Sequence, residues 1–398
     1  MQIKPRQMLP LMILLVCVGS LLGAERKVLL STRVATNGEF LTVPVVVAGR
    51  QYTFVVDTGS TATVLDSKFL NSLSLPDKEG PVIPVREGKQ SKLYTAPPMK
   101  VVGTESGELL FPIDSPVLCL DLADLLDGGS DKEIDGVLGM DFLQKFAVKL
   151  DLTAGRMQIL DSDSVTADET ETAIPLEFAN GTPRVLVESS DARFWSIVDT
   201  GALPTLCIRS DVHNYLLEQG TLTPWRFEVE VEGDKRVGII GIGSLASFKL
   251  GPFEHNGLTA DEAERGTLLG LAYWKRYQVT FDFPHKTALL RPSRYFRMID
   301  ETGHSGIFLK AVDESPNQKE VGQIVLGCFA ERAGIKIGDR VLSINGNSVE
   351  NMPIDNMNRR LSQRWHKECV LMLERDGESF AITLPRLKEM PAADDPGE

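Results

Sequence analysis

Two stretches of this chain repeat each other, and that duplication constrains the fold more than any other feature. Gly139-Met-Asp-Phe-Leu-Gln-Lys-Phe-Ala-Val-Lys-Leu-Asp151 aligns without a gap on Gly270-Leu-Ala-Tyr-Trp-Lys-Arg-Tyr-Gln-Val-Thr-Phe-Asp282. Each copy reads as a glycine, a short amphipathic helix and an alternating strand. Upstream, Phe54-Val-Val-Asp57-Thr-Gly59 matches Ser196-Ile-Val-Asp199-Thr-Gly201. Repeats of roughly 130 residues predict two lobes of one topology. Around them, residues 28–292 hold short β-branched runs broken by turn residues, such as Leu41–Val47, Val185–Val187 and Phe227–Val231. Such spacing predicts an all-β body.

Asp57 and Asp199 each follow an apolar strand and precede Thr-Gly. The strand delivers the carboxylate to a fixed point, glycine permits the tight turn behind it, and threonine can lock that turn. One Asp-Thr-Gly is ordinary turn chemistry, but two at matching places in a duplicated body form a pattern. Each is followed by two apolar residues and glycine, Val137-Leu138-Gly139 and Leu268-Leu269-Gly270. On these motifs residues 28–292 resemble the pepsin/retropepsin superfamily of aspartic peptidases, and the first lobe looks especially like bacterial retropepsin-like domains.

That resemblance implies a mainly β protein of two tandem retropepsin-like β-barrel lobes. Asp57 and Asp199 would be the catalytic pair, approaching closely enough to share one proton and one water. Thr58, Gly59 and Ser60 would support the first acid, and Thr200, Gly201 and Ala202 the second, with Gly139 and Gly270 behind them. No metal or cofactor is implied. Ser60 would place a hydroxyl against Asp57 where Ala202 offers none, making Asp57 the more acidic member and the pH optimum mildly acidic. Gly238-Ile-Ile-Gly241-Ile-Gly243 reads as a flap tip, with a counterpart near 82–94 that includes Gly88 and Tyr94. The competing reading is a non-catalytic peptide-binding or scaffold protein that keeps a protease fold.

The C-terminal segment is of another kind. Ser305-Gly-Ile-Phe308, Ala330-Glu-Arg-Ala-Gly-Ile-Lys-Ile-Gly-Asp339, Ile344-Asn-Gly346 and Cys369-Val-Leu-Met-Leu-Glu-Arg-Asp-Gly377 follow in order. Gly334 suits a helix C-cap and Asn345-Gly346 a tight turn. These motifs resemble PDZ domains of the bacterial protease-associated kind, implying an α+β module that captures peptide C-termini by strand addition. Ser305, Gly306, Ile307 and Phe308 would form the carboxylate loop, with Met357 and Leu361 on the facing helix. The module is expected to be separable from catalysis.

Composition bounds the rest. A formal charge of −13 argues against a nucleic-acid partner, which needs a basic surface. Lys4, Arg6, the apolar run Leu9–Leu22 and Gly23-Ala24 predict a secretory signal over 1–24, hence a secreted or periplasmic protein, and the run is too short to span a bilayer. The five histidines are dispersed, and no spacing suits a metal. Cys119, Cys207, Cys328 and Cys369 lack the spacing of a disulfide framework. The expected order is lobe one over 25–160, an acidic linker 161–172, lobe two over 173–293, a linker 294–303, the PDZ-like domain 304–387 and a disordered tail 388–398.

Overall fold

The computed structural model describes residues 26–384, apart from 36–39, 73–81, 85–89, 113–114, 123–132, 191, 232–233, 265, 298–299, 301–305, 313–314 and 327–328. Within 351–368 only Met352, Ile354, Met357 and Leu361 are described. The expected signal and tail, Gly88 and Ser305 lie outside the described residues. No helix among the described residues is long and apolar enough to cross a membrane.

Strand alternation builds the two halves. In Thr42–Val47 every second residue is buried, and Thr182–Ser189 alternates the same way, so each strand turns one face to a core. Thr42–Val47 folds back on Arg50–Val56 through Ala48 and Gly49, both at positive φ. That is the turn whose twist suits a two-residue hairpin. Asn345-Gly346 adopts the same conformation, as its sequence predicts, and Gly334 has φ 82° beyond the helix Phe329–Arg332.

The two halves share one strand order. Hydrogen-bonded neighbours in the first sheet run Val82–Pro84, Gln90–Thr95, Pro116–Leu120, Val64–Asp66, Gly136–Leu138, Arg50–Val56, Thr42–Val47, Met99–Val102, Glu108–Leu110. In the second they run Leu222–Val231, Asp234–Leu245, Leu258–Ala263, Leu206–Arg209, Leu268–Leu269, Ala192–Val198, Thr182–Ser189, Phe248–Leu250, Phe253–His255. Parallel pairs fall at the same places in both, between Arg50–Val56 and Gly136–Leu138, and between Ala192–Val198 and Leu268–Leu269.

A six-stranded antiparallel sheet joins the halves, in the order Val28–Arg33, Arg156–Leu160, Ala147–Asp151, Tyr277–Asp282, Thr287–Pro292, Thr172–Pro175. Lys149 and Thr280, which occupy the same place in the two repeats, face each other at its centre. One apolar core runs through both lobes.

The two expected linkers are fastened down. Arg26 pairs with Glu171, Lys27 with Asp161 at 2.9 Å, and Arg291 with Asp168. The acids of this stretch thus meet cations from both ends of the body. In the second stretch Tyr295 is buried and Phe296 packs against Phe253, His255 and Tyr277. Asp300 forms a fully buried ion pair with Arg276 at 2.6 Å and accepts the Thr259 amide at 3.0 Å.

The C-terminal domain has its own core, around Ile307, Val321, Val341, Leu371 and Leu373, and Trp225 of the second lobe belongs to it. Strand Leu222–Val231 pairs antiparallel with Ser315–Val325, so the second lobe and the C-terminal domain share one continuous sheet. The expected flap tip at Gly238–Gly243 is therefore corrected. Those glycines lie within strand Asp234–Leu245, whose pairing with Leu222–Val231 runs out to Val231 opposite Asp234. The hairpin expected near 82–94 is present, pairing Val82 with Lys92 and Pro84 with Gln90.

Candidate active site

Each Asp-Thr-Gly loop leaves its strand where a parallel neighbour ends. The Asp57 amide donates to Leu138 O at 3.1 Å, and the Asp199 amide donates to Leu269 O at 3.0 Å. Just beyond, the Met140 amide reaches Ser60 O and the Leu271 amide reaches Ala202 O, both at 2.8 Å. The backbone of the first loop is thus reproduced in the second. Gly139 and Gly270 fit because the loops pass too close for a side chain. A Cβ on Gly139 would stand 2.5 Å from Ala62 O, and one on Gly270 would stand 2.2 Å from Pro204 O.

The two loops grip each other through their threonines. The Thr58 amide donates to Thr200 Oγ1 at 3.0 Å, and the Thr200 amide donates to Thr58 Oγ1 at 3.1 Å. Thr58 Oγ1 then donates to Val198 O at 2.5 Å, and Thr200 Oγ1 donates to Val56 O at 2.8 Å. Both threonines are buried, so each hydroxyl satisfies an amide and a carbonyl that would otherwise be stranded in the core.

This grip sets the acids at one seam. A Cβ built on Gly59 would stand 2.5 Å from Asp199 Cγ, and one on Gly201 would stand 2.3 Å from Asp57 Cγ. Each carboxyl group therefore lies against the glycine of the opposite loop, and both aspartates are partly exposed. Asp57 Oδ1 accepts the amides of Gly59 at 2.7 Å and Ser60 at 3.1 Å. Asp199 Oδ1 accepts the Gly201 amide at 2.9 Å.

The support expected from the Ser60 side chain falls elsewhere. Its hydroxyl donates to Ala62 O at 2.8 Å, and its only proton is used there. Ser60 reaches Asp57 through its backbone, which any residue supplies.

Two supporting residues escaped the sequence reading. Asp141, on the short helix Met140–Leu143, accepts the Thr63 amide at 3.0 Å and the Thr63 hydroxyl at 2.8 Å. Thr63 Oγ1 in turn accepts the Gly139 amide at 3.2 Å. Burial holds the Asp141 carboxyl above the usual range, although the Thr63 and Phe142 bonds pull the other way. In the second lobe Ala272 stands where the repeat has Asp141, and Thr205 Oγ1 is buried with no hydrogen-bond partner. The signal was an acid beside Gly139 with no counterpart beside Gly270.

A Ser162, Asp282 and His285 cluster has the composition of a nucleophile triad without its geometry. Ser162 Oγ and Asp282 Oδ2 both address the same ring nitrogen, His285 Nδ1, at 3.0 and 2.9 Å. A relay needs the two partners on opposite nitrogens.

In the C-terminal domain Gly306 has φ 77° and its carbonyl accepts the Val325 amide at 2.7 Å. Ile307 is buried opposite Ile324, and Phe308 is half-buried opposite Gln323. Met357 and Leu361, expected to face a peptide, are wholly buried in the domain core.

Comparison with known families agrees with this layout. Residues 43–142 match the aspartyl protease family, a span that holds the first Asp-Thr-Gly loop, Asp141 and Gly139. Residues 320–375 match the PDZ domain. The chain thus carries an aspartyl-protease domain and, separately, a PDZ domain. No curated protein matches it.

Proposed function

We propose that the protein is an exported aspartic endopeptidase whose catalytic pair is Asp57 and Asp199, one from each lobe. The observation that carries this reading is the reciprocal threonine grip, with each carboxyl group set against the opposite glycine. Two carboxylates at one seam do not ionise independently, so one proton is shared and the pair titrates as a unit. The ionised member takes a proton from a water held between them, and that water attacks the scissile carbonyl. The protonated member donates a hydrogen bond to the carbonyl oxygen as negative charge develops. The proton taken from the water then passes to the leaving amine, and no covalent intermediate forms.

The second lobe enters this reading through its matching strand order as well as its Asp-Thr-Gly motif. The PDZ domain would recruit substrates or partners by their C-termini. Export rests on the basic and apolar N-terminal run. Incubation of the purified full chain with a mixed peptide library, read by mass spectrometry, tests the proposal. Internal cleavages that vanish in Asp57→Asn support it. No cleavage between pH 3 and pH 8 by the folded wild type would favour the scaffold reading.

A further inference from the structure

We propose that Trp225 is a positioning residue that builds the PDZ domain into the outer hairpin of the second lobe, so that the domain sets where the hairpin sits. Three independent features converge on that seam. Phe227, Glu228 and Val229 pair with Val325, Ile324 and Gln323, and the Leu326 amide donates to Arg226 O at 2.9 Å. Trp225 is buried within the PDZ core, and Ile242 from the other strand of the hairpin packs against that core. The chain entering the domain is itself anchored to the second lobe by the buried Asp300–Arg276 pair.

The local backbone accounts for the reach of Trp225. Pro224 pairs with Gly243 but Arg226 pairs with Ile239, so the returning strand carries extra residues opposite Trp225. An insertion of this kind bends a hairpin and re-aims the side chain beside it. Gly241 lies in the excess, where a Cβ would stand 2.9 Å from Glu262 Cβ. Glycine there lets the strand bend towards its neighbour. From the hairpin, strands Leu258–Ala263 and Leu206–Arg209 lead to Leu268–Leu269, whose carbonyl holds the Asp199 amide. The PDZ domain is thus five strand pairings from that loop's support, in a sheet without a break.

The kinetic consequence rests on the peptidase reading; the structural one does not. Hydrogen exchange of the full chain is compared for wild type, Trp225→Ala and Trp225→Phe. The seam predicts exchange about tenfold faster in both 222–231 and 315–325 for Trp225→Ala, with 50–56 unchanged and Trp225→Phe close to wild type. On a short peptide with both ends blocked, which offers no C-terminus to a PDZ domain, Trp225→Ala should raise KM about tenfold with kcat little changed. Unchanged exchange in the hairpin of folded Trp225→Ala overturns the proposal.

Should Trp225→Ala fail to fold, Val229→Cys with Gln323→Cys closes the seam covalently instead. Equal turnover with and without that crosslink supports a seam that stays closed. A tenfold loss on crosslinking would mean that the hairpin must leave the domain during turnover, which contradicts it. A wild type that cleaves nothing but shows the expected exchange pattern removes the peptidase reading and leaves this one standing.

Discussion

The first and second lobes hold the same backbone with different side chains. In the first, a carboxylate braces the Asp-Thr-Gly loop, since Asp141 takes both polar hydrogens of Thr63 and Thr63 takes the Gly139 amide. In the second, Ala272 leaves Thr205 Oγ1 without a partner, the Gly270 amide turns to Thr205 O at 3.2 Å, and Trp274 Nε1 donates to Leu269 O at 2.9 Å. Outer hairpins diverge further. The edge strand Val82–Pro84 has three residues, whereas its counterpart Leu222–Val231 has ten and carries the PDZ sheet on its outer edge. What the two loops take from each other is the same in both lobes, whereas each lobe holds its own loop by different side chains.

The largest expected effect comes from breaking what the lobes share. Thr58→Val strands the Thr200 amide and the Val198 carbonyl in a buried site, at about 1–3 kcal/mol for each. Denaturant unfolding should register that loss, and cleavage should fall with it. Thr58→Ser keeps both bonds and should recover most of each.

Next is the brace found in one lobe alone. Asp141→Ala removes the acceptor for two Thr63 hydrogens and should cost about 2–3 kcal/mol. Asp141→Asn should cost far less at neutral pH, because it retains an acceptor and removes a carboxylate that burial disfavours. If alanine and asparagine behave alike in denaturant melts, the brace is not the reason for the acid.

A third difference titrates. His255, buried in the second lobe with Nε2 at 2.6 Å from Tyr277 Oη, is pushed down to about 4 by burial, with the Arg276 charge adding to it. Its folded value lies below the unfolded one, so its contribution is complete above about 6.5 and is lost as pH falls through about 4. The loss amounts to roughly 3 kcal/mol across that window. Melting of wild type and His255→Phe at pH 7 and pH 4 should show a shallower acid decline in the variant. An identical decline would place the acid sensitivity elsewhere.

Much of this was legible beforehand, because apolar strands, Asp-Thr-Gly and the glycines behind it are local necessities. The two halves and both Asp-Thr-Gly loops follow from the internal repeat, and the turn at Asn345-Gly346 from its residues, whereas the hairpin near 82–94 was implied by the family resemblance. The Asp141 to Thr63 bonds join residues far apart in the chain, and an acid at a helix start also reads as ordinary capping. The seam at Trp225 was hidden for a similar reason. A tryptophan in an alternating strand signals burial without saying which domain provides it, and Gly241 was taken for a tip because a bend inside a strand and a bend between strands use the same residue. The ion pairs of the acidic stretch 161–172 were not legible because their partners, Arg26, Lys27 and Arg291, lie outside it.

The smallest expected effect follows from one such misreading. Because the Ser60 hydroxyl serves Ala62 O and its amide serves Asp57, Ser60→Ala should leave both limbs of the pH–rate profile in place and cost only about 1 kcal/mol of stability. A shifted acid limb would return the hydroxyl to the Asp57 and Asp199 carboxyls.

The central claim is that Asp57 and Asp199 act as one unit supplied by a single chain. The most direct measurement compares kcat/KM for Asp57→Asn, Asp199→Asn and the double variant on one peptide, with each protein verified as a folded monomer by sedimentation. Groups that work as a unit fail together, so all three should lose activity to the same floor, on the order of a thousandfold or more below wild type. Retained cleavage in Asp199→Asn, abolished only by the second substitution, would mean that the first lobe works without the second and would contradict the account.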